Sequence, residues 1–353
     1  MQLTLDAPEF TTPAPLFVNL HAYDLIVINS SAGKDSMALL AYIAKLIKEQ
    51  GYTGRVVVQH NDLGKTPTGE PIEWPEVADL AREHAEQYGF EFVIRRRELG
   101  GLWHQLVHER RNWPSSSARW CTSDQKTSQG MKLVTELVTE IREQLGITDR
   151  PIQVLYALGI RGEESDRRAS MDVLAVDHSH SSGNRTIHRW HPIRDWTWKQ
   201  VWDQIKEAGL RPHAAYSWGM TRLSCSFCVL ASTEDLLIAA TRRPELHAEL
   251  AQVEQQIGHS FKQDLSLAEM RAALDAAELE AAAPADAEQA RQTVYQLAYT
   301  RIETIQRRRH EKSLTKEDKK PVPMWPAARI AAKAAAETTR TLAAARRALA
   351  LAA

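Results

Sequence analysis

Over roughly the first 230 residues, short apolar runs alternate with stretches of helical spacing. Residues 24–30 (DLIVINS) are an apolar run of the length of a buried parallel strand. Residues 36–51 follow with apolar positions on one helical face and a stop at Gly51. The same alternation predicts strands over 54–60, 90–96 and 153–160. It predicts helices over 76–89, 131–146 and 196–209. Such alternation implies an α/β fold: a Rossmann-like, doubly wound, mostly parallel sheet, here expected to have five strands. Ligands of such sheets bind at the carboxyl ends of the strands, so chemistry-bearing residues should follow strands. Beyond residue 230 the pattern becomes helical, with Leu246, Leu250, Val253 and Ile257 on one face. Ser232, with Asp235 three residues on, reads as a capping box. Residues 273–290 are alanine-rich and broken by Pro284, as in a helix–turn–helix.

Composition changes this picture in three ways. Nine of the ten tryptophans lie between Trp74 and Trp218, and all three cysteines between Cys121 and Cys228. The chemically loaded part therefore ends near residue 230. The 353 residues carry a net charge of −1, which excludes a globally basic nucleic-acid binder. Residues 301–353 nevertheless hold thirteen Lys and Arg against five Asp and Glu, a weak pointer to a nucleic-acid acceptor. No apolar run reaches the length of a membrane span. The N-terminus has no basic segment before an apolar one, and three cysteines do not make a secreted disulfide scaffold. A cytoplasmic protein is expected.

The densest chemistry directly follows the first strand. Ser31, Ala32, Gly33, Lys34, Asp35 and Ser36 lead into a helix. Small residues let backbone N–H groups wrap an anion at a helix N-terminus, and Lys34 adds charge. The G-x-x-x-x-G-K spacing of a Walker loop is absent. The segment instead resembles the S-G-G-x-D-S loop of the PP-loop ATP pyrophosphatases, which split ATP between its α- and β-phosphates and leave an adenylate on the substrate. Ala32 replaces the usual glycine, which is tolerable only if its φ is negative.

Four further segments extend the resemblance. HNDLG (60–64) places Asp62 at the end of the second strand, and GIRGEESDRR (159–168) places Arg161 after the fourth. Residues 113–126 carry Arg119, Cys121 and Lys126 in what reads as a polar loop, and residues 216–228 end in Cys225-x-x-Cys228. Together these are similar to the phosphoadenosine phosphosulfate (PAPS) reductase family of the PP-loop superfamily, over residues 20–265. The resemblance implies an adenine nucleotide alpha hydrolase-like fold. It also implies phosphate contacts from Ser31, Gly33, Lys34, Asp35, Ser36 and Arg161, with Mg²⁺ bridging the phosphates of ATP. Asp62 would lie near the nucleoside, and Arg119 and Lys126 would flank the substrate. Lys34, Asp35 and Arg161 are the catalytic candidates. The Glu-Cys-Gly-type nucleophile of the true reductases is missing, since no cysteine follows Cys228.

Four readings of the three cysteines stand open. They could hold an iron–sulfur cluster, 4Fe-4S with one iron open, as in PP-loop sulfurtransferases such as tRNA thiolases and the DNA phosphorothioation component. They could hold zinc, with His191 or His213 as fourth ligand. They could form a redox dithiol, or pack as small core residues. Arg222 near the pair favours thiolates. The expected organisation is an arm (1–20), a PP-loop and cysteine-bearing domain (21–230), a helical region (231–320) and an Ala/Arg-rich tail (321–353). The expected function is ATP-dependent adenylation followed by sulfur transfer, with a sulfur-donor protein as a further partner. The alternative is a sulfonucleotide reductase-like or non-catalytic nucleotide-binding protein.

Overall fold

A computed structural model describes residues 17–280 and 287–313. The strands are β1 (Leu25–Asn29), β2 (Arg55–Asn61), β3 (Glu91–Arg95), β4 (Ile152–Ala157), β5 (Leu174–Val176) and β6 (Arg185–Trp190). They form one six-stranded sheet in the order β3-β2-β1-β4-β6-β5. All neighbours run parallel except β5, which is antiparallel to β6. The sheet therefore has six strands, not five. β5 and β6 escape the sequence because they lie toward an edge: of the six residues of β6, only Ile187 and Trp190 are buried. The strand order reverses between β1 and β4, which makes the gap between their carboxyl ends the switch point.

β1 is buried on both faces, and its alternation divides two cores. Ile26 and Ile28 pack with Leu39, Leu40 and Ile43 of helix α1 (Lys34–Gln50). Leu25 and Val27 pack with Val134, Leu137 and Val138 on the other face. Those three belong to a helix at Ser128–Leu145. A third core lies at the carboxyl edge. There Ala32 of the loop after β1 joins Trp74, Trp113, Trp120 and Phe227. Leu236, Leu246, Leu250, Met270 and Ile302, from the helices that follow residue 230, complete it.

The chain divides into two compact units, one through Ile302 and one from Glu303 onward. In the second, the described residues, 303–313, are helical. The break expected at Pro284, the tail (321–353) and residues 1–16 of the arm lie outside the described residues. Among the described residues no helix is long and apolar enough to cross a membrane.

The third core holds a titratable group. His247 is fully buried, stacks on Phe227 at 5.3 Å, and its Nε2 lies 2.9 Å from the Leu267 carbonyl. Burial pulls its pKa from 6.5 down to about 4. The unfolded chain thus takes up a proton near pH 6.5 that the native ring refuses until about pH 4. The neutral ring's contribution is complete above pH 6.5 and is lost as pH falls toward 4, on the order of 3 kcal/mol in all. Urea unfolding at a series of pH values in this window should show that loss, and the slope should be shallower in His247→Gln.

Candidate functional site

The loop after β1 is a row of inward-turned N–H groups. The N–H of Ser31 donates to Ser36 Oγ at 3.2 Å, that of Ala32 to Ser30 Oγ at 3.3 Å, and that of Gly33 to Ser31 Oγ at 3.4 Å. The N–H of Lys34 donates to the Tyr216 hydroxyl at 2.7 Å. Four consecutive amides thus end on neutral hydroxyl oxygens, three of them at the long limit of a hydrogen bond. An anion offering several oxygens at once would satisfy them better. The helix that starts here has no side-chain cap. Ala32 adopts φ +52°, the left-handed region, against the negative φ that its side chain led one to expect. Its methyl is fully buried in the third core, which holds it there.

Charge is packed around this loop. The Asp35 carboxylate takes the Arg161 Nε at 2.5 Å and the Lys34 Nζ at 3.1 Å, and both cations are almost wholly buried. Arg161 also pairs with Glu163. After β4 the chain presses on the loop's helix: a Cβ on Gly159 would stand 2.9 Å from the Asp35 carbonyl oxygen. Only glycine permits that approach.

A cavity of about 320 Å³ opens at the switch point. Ser31, Gly33, Asp35 and Ser36 line one end. Asn29, Asn61, Tyr156 and Arg189 line the strand ends. Glu73, Thr122, Lys126, Arg222 and Ser224 line the end beside the cysteines. Arg168 is also on the wall. Desolvation, and then the charges of Arg222 and Arg119, pull its pKa below the usual arginine value, as expected where guanidinium groups crowd one site.

Cys121 and Lys126 sit in helical turns, not in a polar loop. The chain is helical from Trp120, and Ser123–Thr127 form a π-turn before the long helix of residues 128–145. A π-turn re-aims side chains and is a frequent feature of functional sites. Desolvation would lower the Lys126 pKa, but Cys225, Glu73, Cys121 and Cys228 around it outweigh that and raise it. Lys126 therefore lines the cavity within electrostatic reach of all three thiols. Burial raises the Cys121 thiol, with Cys228 adding to the rise and Lys126 opposing it. The Cys225 thiol is raised by its hydrogen bond to Cys228, and the Cys228 thiol is lowered by the same bond to about 5.

The cysteine turn is held from below. Buried Arg243 donates from Nη1 to the Glu73 carbonyl and to Ser226 Oγ, both at 2.7 Å. Its Nη2 donates to Glu70 Oε2 at 2.9 Å and to the Pro71 carbonyl at 2.8 Å. Glu73 and Cys225 form a β-bridge. The capping box expected at Ser232 is only half formed. Ser232 Oγ accepts the Asp235 N–H at 3.1 Å, but the Asp235 carboxylate instead grips the N–H and hydroxyl of Thr221, each at 2.8 Å.

The site residues read from the sequence therefore divide. Ser31, Gly33, Asp35, Ser36 and Lys126 line the cavity. Lys34 and Arg161 stand behind it through Asp35. Cys121 and Cys225 adjoin wall residues Thr122 and Ser224. Asp62 is off the wall, its carboxylate taking the Gly64 N–H at 2.7 Å and pairing with Arg96. Arg119 is also off the wall, exposed, with Nε on the Ser116 carbonyl at 3.2 Å. His60, Glu73, Tyr156, Arg189 and Tyr216 were not singled out; for His60 and Tyr156 a strand-end position was the available signal. Both nitrogens of His213 are engaged by backbone, at Pro75 and Ala215, which removes it as a zinc ligand. Among the described residues no three His, Cys, Asp or Glu side chains are gathered closely enough to hold a metal ion as they stand.

A protein-family model described as the phosphoadenosine phosphosulfate reductase domain matches residues 25–231. A curated relative, the "Uncharacterized 37.8 kDa protein in gpa 5'region" of Escherichia phage 186, is 25% identical over 188 residues, 53% of this chain and 52% of that protein. The chain thus spans about half the length of this relative. Among solved structures, the phosphoadenylyl-sulfate (PAPS) reductase from Candida auris in a phosphate complex is 19% identical, over 57% of this chain and 80% of that one, with a TM-score of 0.35. The U34-tRNA thiolase NcsA from Methanococcus maripaludis with its 4Fe-4S cluster is 12% identical, over 66% and 68%, with a TM-score of 0.34. The Candida glabrata FMN adenylyltransferase with FAD and inorganic pyrophosphate is 11% identical, over 58% of each chain, with a TM-score of 0.37.

Arg243→Ala would leave the Glu73 and Pro71 carbonyls, the Ser226 hydroxyl and the Glu70 carboxylate without their donor. Breaking a buried charged network of this kind costs about 3–5 kcal/mol. Denaturant unfolding should register that loss. Thiol-reagent titration should show Cys225 and Cys228 reacting faster than in the parent protein.

Proposed function

The chain belongs to the phosphoadenosine phosphosulfate reductase domain family, and from this premise we propose that it is an ATP-dependent adenylating enzyme that transfers sulfur. One observation carries the reading: a single cavity runs from the loop of Ser31–Ser36 to Lys126, and Lys126 is in electrostatic contact with all three thiols. Nucleotide phosphates at one end would meet sulfur chemistry at the other.

In this reading the loop N–H groups of residues 31–34 exchange hydroxyl oxygens for phosphate oxygens. Lys34 and Arg161, held by Asp35, neutralise charge at the α- and β-phosphates, and Mg²⁺ arriving with the nucleotide would supply further charge neutralisation there. Asn29, Asn61 and Tyr156 at the strand ends face the nucleoside, with Asp62 shaping the turn beside them. Arg168, Arg222 and Arg119 attract the anionic substrate, and Lys126 flanks the acceptor. The acceptor oxygen attacks the α-phosphorus and pyrophosphate leaves.

Cys121, Cys225 and Cys228 would hold the iron–sulfur cluster. They are free thiols, their donor chemistry suits such a cluster, and ligation requires the sulfurs to draw closer than they stand. When bound, a three-thiolate cluster supplies an open iron site for sulfide. Lys126 balances the thiolate charge beside it. The sulfur comes from a donor protein, and the acceptor is a nucleic acid or a small molecule.

Pyrophosphate release from Mg·ATP, measured with RNA, DNA and small acceptors, tests adenylation. Nucleotide binding without release under any of them would leave a non-catalytic binding protein. Lys34→Ala should weaken ATP binding by about 1–3 kcal/mol, because it leaves the Asp35 carboxylate on the wall without one of its two cations beside the phosphates. Unchanged affinity would remove the phosphate-loop assignment.

Anaerobically purified protein should be brown and contain iron and acid-labile sulfide, which each of Cys121→Ala, Cys225→Ala and Cys228→Ala removes. A colourless, zinc-loaded protein would make the cysteine site structural.

A further inference from the structure

Of the four hydroxyl oxygens that receive the amides of residues 31–34, those of Ser30, Ser31 and Ser36 belong to the loop or adjoin it. The fourth, the Tyr216 hydroxyl, comes from 182 residues along the chain and makes the shortest of these bonds, 2.7 Å from the Lys34 nitrogen. Tyr216 is placed from two sides. Residues 214–216 form one 3-10 turn capped by His213, which accepts the Ala215 N–H at 3.0 Å and is itself held at the Pro75 carbonyl. The ring meets Trp202 edge-on, with centroids 5.0 Å apart. Tyr216 is also on the cavity wall, with Gly33, Asp35 and Leu223.

The role of the phenol follows from its hydrogen-bonding capacity. A hydroxyl has one proton to give and two lone pairs to receive. The Tyr216 oxygen accepts the Lys34 N–H, and the Leu223 main chain acts on it in the same sense. Its acceptor capacity is therefore in use and its O–H is not: among the described residues no acceptor takes the Tyr216 proton. The Ser36 hydroxyl differs, since its proton goes to the Gly33 carbonyl at 2.9 Å. Burial raises the phenol pKa and the Asp35 charge adds to the rise, against the two main-chain bonds, so the proton stays on the oxygen. Asp35 itself is taken by Lys34 and Arg161. Amides that donate to the oxygen also polarise its O–H and make it a stronger donor. An uncommitted O–H beside a helix N-terminus suits an anionic oxygen.

We propose that Tyr216 is a nucleotide-contacting residue, donating its O–H to the phosphate oxygen that takes the Lys34 N–H. The inference rests on the nucleotide-binding part of the reading above. On binding, the phenol stops accepting from Lys34 and turns donor, so that one phosphate oxygen receives both the amide and the phenol. A neutral hydrogen bond is exchanged for charged ones, and no covalent bond is made or broken. A hydroxyl that merely filled the place would compete with the anion, and its removal would tighten binding. A donor has the opposite effect.

The test is equilibrium binding of Mg·ATP to the parent protein and to Tyr216→Phe, which keeps the ring on Trp202 and removes only the hydroxyl. The variant should bind about 10–100-fold more weakly, the scale of a hydrogen bond to a charged group. Equal or tighter binding overturns the proposal and leaves nucleotide binding standing. Ultraviolet difference spectra give a second readout, because a phenol that donates to an anion absorbs at longer wavelength. Adding Mg·ATP should shift the tyrosine band of the parent and not that of Tyr216→Phe. Tyr156, the other tyrosine on the wall, already gives its proton to Asn29 Oδ1. Weaker binding by the variant with no tyrosine shift in the parent makes Tyr216 a structural residue and overturns the contact. Should Tyr216→Phe fail to fold, the parent's spectrum decides alone, and ATP bound without the shift is equally fatal. A parent protein that binds no ATP sinks the nucleotide reading, and the contact with it.

Discussion

The buried guanidinium of Arg243 is the constraint on which the chemistry-bearing edge depends. It reaches three backbone or side-chain oxygens on the 70–73 segment and one on the cysteine turn. A guanidinium cannot shed its charge, so it is stable in a core only when its donors are met. Meeting them fixes Glu73 against Cys225 and Ser226 at one register. Glu73 in turn faces His60 at the end of β2, and Cys225 lies beside Lys126. The sheet edge, the cysteine turn and the following helix are thus stitched at one point. Movement of any of them would strand a buried charge.

A second link joins the same turn to the loop of residues 31–36. The Tyr216 hydroxyl accepts the Lys34 N–H and lies against the main chain of Leu223. A Cβ on Gly33 would stand 3.3 Å from the Leu223 carbonyl. The segment that leads to the cysteines therefore rests directly on the amides that an anion would take. Contact of this kind makes the two ends of the cavity one mechanical body.

β1, β2 and β4 were legible because they are apolar runs buried within the sheet, and β3, at the opposite edge, because Phe92, Val93 and Ile94 still make a short apolar run. The loop of residues 31–36 was legible as a candidate anion cradle because small residues, a lysine and a helix start follow one of those strands. β5 and β6 were not, since β5 is an edge strand of three residues and β6, next to it, carries polar residues such as Arg185, His188 and Arg189 that break the pattern. Cys121 and Lys126 were found as residues but misplaced. Their polar surroundings read as loop, whereas the chain forms a π-turn that brings both to one side. Glu73 was invisible, because its position depends on Arg243, far along the chain. Asp62 stands beside the wall residue Asn61, with its carboxylate on a turn amide and Arg96.

Ala32 shows how closely the loop is tied to the helices after residue 230. A left-handed φ costs a residue with a Cβ about 1–2 kcal/mol, which glycine would avoid. Burying a methyl recovers about 0.8 kcal/mol, and alanine gives up less chain entropy on folding than glycine does. The two sides nearly balance, so the alanine is neither a gain nor a defect in stability alone. What it adds is a contact. Its methyl lies in the same core as Leu236, Leu246 and Phe227, where glycine would leave a gap. The strained residue of this loop is thereby keyed into the layer that carries the cysteine turn. The loop's conformation and the position of the thiols are settled by one packing arrangement.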